Sequence, residues 1–191
     1  NGRKLFTLFG AMAVTLGCGD AFHLVPRVLQ YWTAGDLTVA LGVGKLITSV
    51  TMTVFYVLLY YIWRERYAVE GHRGLTVAVY ALAIVRVALC CFPQNGWTLP
   101  VEPLDWGIYR NIPFALLGLL MIVLFYRKAK QDKAFRWMWL AVTLSFAFYA
   151  PVVLLAQSVP VIGALMIPKT CAYVWVVLMG VNALKQADRA L

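Results

Sequence analysis

Six stretches of nearly unbroken apolar sequence, separated by short polar segments, set out the plan of the chain. They cover 5–25, 38–63, 75–92, 110–126, 137–156 and 161–184. A helix rises about 1.5 Å per residue and a bilayer core is about 30 Å thick, so about 20 apolar residues are enough to span it. The pattern predicts an all-α integral membrane protein: one six-transmembrane-helix bundle, with too little sequence left over for a second domain. The fourth run is short unless it starts back near Trp106. The first run lacks a small-residue cleavage site and its polar end falls at Asp20, so it is expected to stay in place as a span rather than be removed. No motif divides the six spans into two similar triplets, which argues against an inverted-repeat transporter.

The polar segments are of two kinds. On one side fall Arg3, Lys4, Arg64, Arg66, Arg73, Arg127, Lys128, Lys130, Lys133, Arg136, Lys185 and Arg189; on the other, only Arg27 and Arg110. The positive-inside rule then places both chain ends in the cytoplasm, with the protein in the cell membrane. The basic loop from Arg127 to Arg136 is expected to lie on lipid headgroups. The outer loops differ. The first holds Tyr31, Trp32 and Asp36. The longest, 93–109, carries Pro93, Pro100, Pro103, Trp97, Trp106, Glu102 and Asp105, and reads as a folded cap at the interface, where indole rings settle. Ser158 and Pro160 mark a tight outer turn, and Pro113, Pro151 and Pro168 are places where a helix can kink.

Composition agrees with this plan. Of 191 residues, 62% are apolar and only 13% charged, with a mean hydropathy of +0.77; a soluble domain is nearer a quarter charged. The net charge of +9 therefore reads as loops facing anionic lipid, not as a nucleic-acid surface.

The charged residues inside the apolar runs carry the chemistry. Asp20, His23 and Arg27 share a face of the first helix. Lys45, Arg86 and Lys169 lie within spans two, three and six, Arg110 and Asn111 open span four, and Tyr149 and Gln157 lie towards the outer end of span five. With the orientation above, all of these fall in the outer half. A charge at mid-membrane costs roughly 2.5–3.5 kcal/mol, so such residues are functional candidates by default. Asp20 can neutralise only one or two of the cations, and the surplus calls for an anion. The expected site is an outward-facing cationic cavity for a small anionic solute or a lipid headgroup, used for uptake or translocation. Arg86 would grip the anion bidentately and Lys45 and Lys169 would act as point charges. Thr48, Ser49 and Met52 share the face of Lys45, and Tyr173 that of Lys169, supplying polar groups for the same pocket.

Two other readings use the same residues. In the first, Asp20 and His23 are an acid–base pair of a membrane-embedded enzyme acting on a lipid or isoprenoid phosphate at the outer leaflet. In the second, the charges only hold helices together in a sensory or scaffold module, with Asp20 and His23 paired to Lys45 or Arg86. No metal or cofactor is expected: the other histidine, His72, is in a cytoplasmic loop, and a metal normally needs three or four ligands. Cys18, Cys90, Cys91 and Cys171 form no Cys-x-x-Cys motif, so thiol redox catalysis is not expected, although bridges among them remain open. No Gly-x-Ser-x-Gly pattern supports a nucleophile at Ser49. The run Gly42-Val43-Gly44-Lys45 lacks the first glycine of a phosphate-binding loop.

Gly10, Ala13 and Gly17 form a loose small-residue face on the first helix. In length, span number, cytoplasmic chain ends and an outward pocket, the chain resembles the substrate-binding subunits of energy-coupling-factor vitamin transporters. The resemblance lies in layout and not in shared residues. It implies a partner subunit docked on that face.

Overall fold

Each apolar run forms a helix in the computed structural model, which describes residues 2–30, 32–33 and 35–188. Tyr31 and Arg189, used in the loop and charge readings above, lie outside the described residues. The helices are α1 (Gly2–Leu29), α2 (Thr38–Arg66), α3 (Arg73–Cys91), α4 (Leu104–Lys128), α5 (Met138–Leu155) and α6 (Met166–Asp188). Each apolar segment is long enough to cross a membrane, so the chain is a six-helix, multi-pass membrane protein.

Two boundaries differ from the sequence reading for local reasons. Helix α4 starts at Leu104, because Pro103 sits in extended conformation just before it and the segment through Trp106 continues the helix. The residues leading into α6 wind more tightly, as a 3-10 turn over Pro160–Leu165. The expected kink at Pro168 does not apply: this proline is in the first turn of α6, where a missing N–H breaks no helical bond. Pro26, Pro113 and Pro151 lie within helices.

Helices adjacent in sequence pack together, α6 returns to α1, and α2 also reaches α4. The core between them is largely aromatic. Tyr56 is fully buried and meets the rings of Phe114, Phe146 and Tyr173. Apolar side chains gain little from leaving lipid, so close backbone approach at glycine does much of the specifying. A Cβ at Gly44 would meet the Phe22 carbonyl and His23 Cα of α1. One at Gly42 would collide with the Trp97 carbonyl, and one at Gly19 with Thr51. The glycines before Lys45 are therefore packing residues. Gly10 and Gly17 face outward, and a Cβ on either would meet nothing within 4 Å among the described residues.

One end of the bundle holds the start of α1, the end of α2 and the end of α6. Lys4 pairs with Glu65 there, and Phe9 packs against Gly180. The segment after α4 is tucked into this end rather than laid flat: Phe135 is fully buried against Phe9, and Asp132 is held by Arg66. The opposite end carries the 92–103 segment, and the candidate site lies beneath it.

Candidate functional site

The opposite ends of the helices enclose a cavity of about 620 Å³, within the range of small-molecule sites. Its walls include His23 and Arg27 from α1, Lys45, Thr48 and Ser49 from α2, and Arg86 from α3. Helix α4 contributes Arg110 and Asn111, α5 contributes Tyr149, and α6 contributes Lys169. The aromatic layer beneath is closed by a hydrogen bond between the Tyr56 and Tyr173 hydroxyls (3.2 Å).

The segment after α3 forms a roof. Pro93–Asn95 makes a 3-10 turn, ended by Gly96 at φ +61°, a left-handed conformation that glycine adopts without strain. The Asn95 amide is fully buried and its Nδ2 donates to the carbonyls of Leu89 (2.7 Å) and Phe92 (2.8 Å). Trp97 Nε1 donates to the Cys90 carbonyl (2.9 Å). Arg110 links the roof to α4. Its Nη1 donates to Asn95 Oδ1 (2.9 Å), its Nη2 to Glu102 Oε2 (2.8 Å), and its guanidinium carbon lies 4.1 Å from the Trp97 ring centre. Lys45 reaches the other oxygen of Glu102 at 2.7 Å. Gln157 donates to the Glu102 carbonyl at 2.6 Å. One loop carboxylate thus joins α2 and α4 and fixes the roof.

Glu102 is the residue that sequence reasoning missed. Lys45 was expected to be free for an anion, or paired with Asp20 or His23; it is paired with Glu102 instead. The signal was a surplus of cations beneath an acidic loop, but Asp105 looked equally suitable and stays exposed.

The deeper cations differ in kind. Arg86 is 2% exposed and lines the cavity, yet its Nε and Nη1 have no hydrogen-bond partner among the described residues. Its guanidinium carbon lies 3.4 Å from the centre of the Phe114 ring, a cation–π contact in place of an ion pair. Lys169 is 4% exposed, with Nζ 4.8 Å and 5.5 Å from the Tyr149 and Tyr173 ring centres. Among the described residues neither cation has a carboxylate within 4 Å. The cavity walls carry five cationic residues, Arg27, Lys45, Arg86, Arg110 and Lys169, against one carboxylate, Glu102.

Asp20 and Tyr173 are not in the cavity wall. Each lies about one turn deeper than the neighbour that is, His23 and Lys169 respectively, and Tyr173 spends its hydroxyl on Tyr56. Asp20 lies within electrostatic range of Lys169 without making an ion pair. His23 is buried and its Nδ1 has no partner among the described residues, so His23 and Asp20 do not form a hydrogen-bonded acid–base pair. The hydroxyls are partly committed: Thr48 donates to the Gly19 carbonyl (2.9 Å), tying α2 to α1, and Ser49 to the Lys45 carbonyl (2.8 Å). Tyr149 donates to Asn111 Oδ1 (3.1 Å), and Asn111 Nδ2 to the Gly107 carbonyl (2.7 Å). All four cysteines are free thiols, and only Cys90 is buried. No protein-family model, curated protein or solved structure matches the chain.

Proposed function

We propose that this protein binds a small anionic solute or lipid headgroup in the cavity beneath the 92–103 roof, and that it does so for uptake or translocation. The observation that carries this reading is Arg86: a nearly fully buried guanidinium in a cavity wall, with two nitrogens lacking a partner and no carboxylate within 4 Å among the described residues. A buried charge left unpaired is strongly unfavourable, and an anion in the cavity relieves it. The Lys/Arg asymmetry of the loops supports a cavity on the outer side of the cell membrane. The closed aromatic layer below supports a site reached from one side only.

The test is native mass spectrometry of detergent-purified protein, wild type beside Arg86→Met/Lys169→Met. A discrete anionic adduct on the wild type, missing from the variant, is the expected result. No adduct on the wild type, even after addition of phosphate and short carboxylates, overturns it.

The enzymatic reading keeps one specific support, the unpartnered Nδ1 of His23 in the cavity wall. It requires His23→Ala to abolish turnover of a lipid phosphate, whereas the binding reading requires that variant only to change affinity.

A further inference from the structure

Resting on the anion-binding reading, we infer that the ligand is an amphiphile: a phosphate monoester head held by Arg86 and Lys169, carrying an apolar chain along the α5–α6 wall. Two independent features of the cavity lead there.

The first is the charge pattern around the head. Arg86 and Lys169 line the same cavity, both almost completely buried and each without a carboxylate within 4 Å among the described residues, while Asp20 attracts Lys169 from beyond that distance. Two like charges in that arrangement call for one compact group that meets both. A phosphate monoester carries about −1.5 to −2 charges and three strong acceptor oxygens. A carboxylate brings one charge and suits a single guanidinium fork. The Glu102 carboxylate illustrates this economy: it uses its two oxygens on two cations and leaves the deeper pair unserved.

The second feature is the distribution of polarity around the wall. The cations come from α1, α2, α3, α4 and α6. Helix α5 and the Pro160–Leu165 turn contain no charged residue. Between Tyr149, whose hydroxyl is taken by Asn111, and Gln157, which is bonded to the roof, their side of the cavity is formed by Val152, Val153 and Ala156, and it continues past Gly163, beside Arg27, to Met166 of α6. The same corner is apolar on its outer surface, where Leu154, Leu155, Val159, Val161 and Ile167 are exposed. A purely polar anion would leave this half of the cavity unused. A chain attached to the head covers it and continues into the bilayer beside α5.

The experiment is calorimetric titration of the full chain in neutral-lipid nanodiscs with inorganic phosphate, then methyl, butyl, hexyl and octyl phosphate, and octanoate, each corrected against empty discs. Three proteins are compared: wild type, Arg86→Met and Val153→Asn, each first shown to keep its helical circular dichroism. The expected result is wild-type affinity that rises about fourfold per methylene while the chain is being buried. Arg86→Met then loses specific binding at every length, while Val153→Asn keeps the inorganic phosphate affinity and loses the chain-length gain. Inorganic phosphate binding as tightly as octyl phosphate overturns the amphiphile and leaves the anion site standing. Octanoate matching octyl phosphate overturns the phosphate head. Identical titrations of wild type and Arg86→Met overturn the amphiphile together with the anion site. Should Arg86→Met fail to fold, Lys169→Met takes its place with the same outcomes.

Discussion

Lys45 and Glu102, 57 residues apart in the chain, are joined by a 2.7 Å hydrogen-bonded ion pair that fastens the roof to α2. The Glu102 side chain is mostly shielded, and its second oxygen is taken by Arg110. Glu102→Gln removes the charge and keeps the size, so it weakens both links at once. Hydrogen bonds to charged groups contribute about 1.5–3 kcal/mol. We expect that loss in thermal unfolding, and faster hydrogen exchange confined to residues 93–103. A double-mutant cycle with Lys45→Met should show non-additivity. Additive effects and unchanged exchange would show that the roof is held by Asn95 and Trp97 alone.

Arg86 separates a binding site from a structural brace. As a brace, its replacement destabilises the helices it joins. Among the described residues it makes no hydrogen bond through Nε or Nη1, and its guanidinium lies over the Phe114 ring. Replacing a buried charge by an apolar side chain of similar size is often neutral or stabilising, against the loss of a cation–π contact of up to about 2 kcal/mol. For Arg86→Met stripped of ligand we expect a melting temperature equal to or above that of wild type, measured by scanning fluorimetry in detergent. A drop of many degrees would assign Arg86 to the scaffold reading.

The architecture was legible because runs of bilayer length admit few other structures, and the depth of Lys45, Arg86 and Lys169 followed from the spans. What was hidden depends on where a segment folds back. Glu102 and Asp105 are neighbours in one acidic, proline-rich loop, and only the turn at Gly96 and the start of α4 decide which one reaches Lys45. Asp20 shares a helical face with His23 and Arg27, but the cavity ends above it. A shared face fixes direction around a helix and says nothing of depth along it. Pro168 in isolation looked like a kink, because the 3-10 turn that makes it the start of a helix has no sharp sequence signature.

The glycines offer a stability test independent of any ligand. Gly44 faces the α1 backbone at Phe22 and His23, which cannot move aside as a side chain can. Gly44→Ala forces α1 and α2 apart, at a cost of about 1–3 kcal/mol by analogy with overpacked cores. It also shifts His23 and Lys45 relative to each other. Gly10→Ala and Gly17→Ala meet nothing and gain helix propensity, so thermal stability should hold or rise. Equal destabilisation at Gly44 and Gly17 would contradict the packing described for α1.

The far end of the bundle gives a prediction about acid. Asp132 accepts from Arg66 Nε at 2.7 Å and Nη2 at 3.1 Å, and from the Ala134 N–H at 3.0 Å. Burial opposes its ionisation, but the Arg66 hydrogen bonds and charge, with the backbone donors of Ala134 and Phe135, outweigh burial and hold the carboxyl below the ordinary value of 3.8. A depressed folded pKa means that the ionised form is favoured by folding. Its contribution is complete at pH values well above 3.8 and disappears as pH falls through the lower folded value. Asp132→Asn removes the charge while leaving a hydrogen-bonding side chain. We expect it to lower stability at neutral pH and to flatten the acid side of the stability profile, measured by thermal unfolding from about pH 3 to about pH 7. The segment carrying Phe135 should loosen with it, because Asp132 is what turns that segment in towards Phe9. A variant as stable as wild type at neutral pH, with the same acid limb, would mean that Phe135 alone anchors the segment.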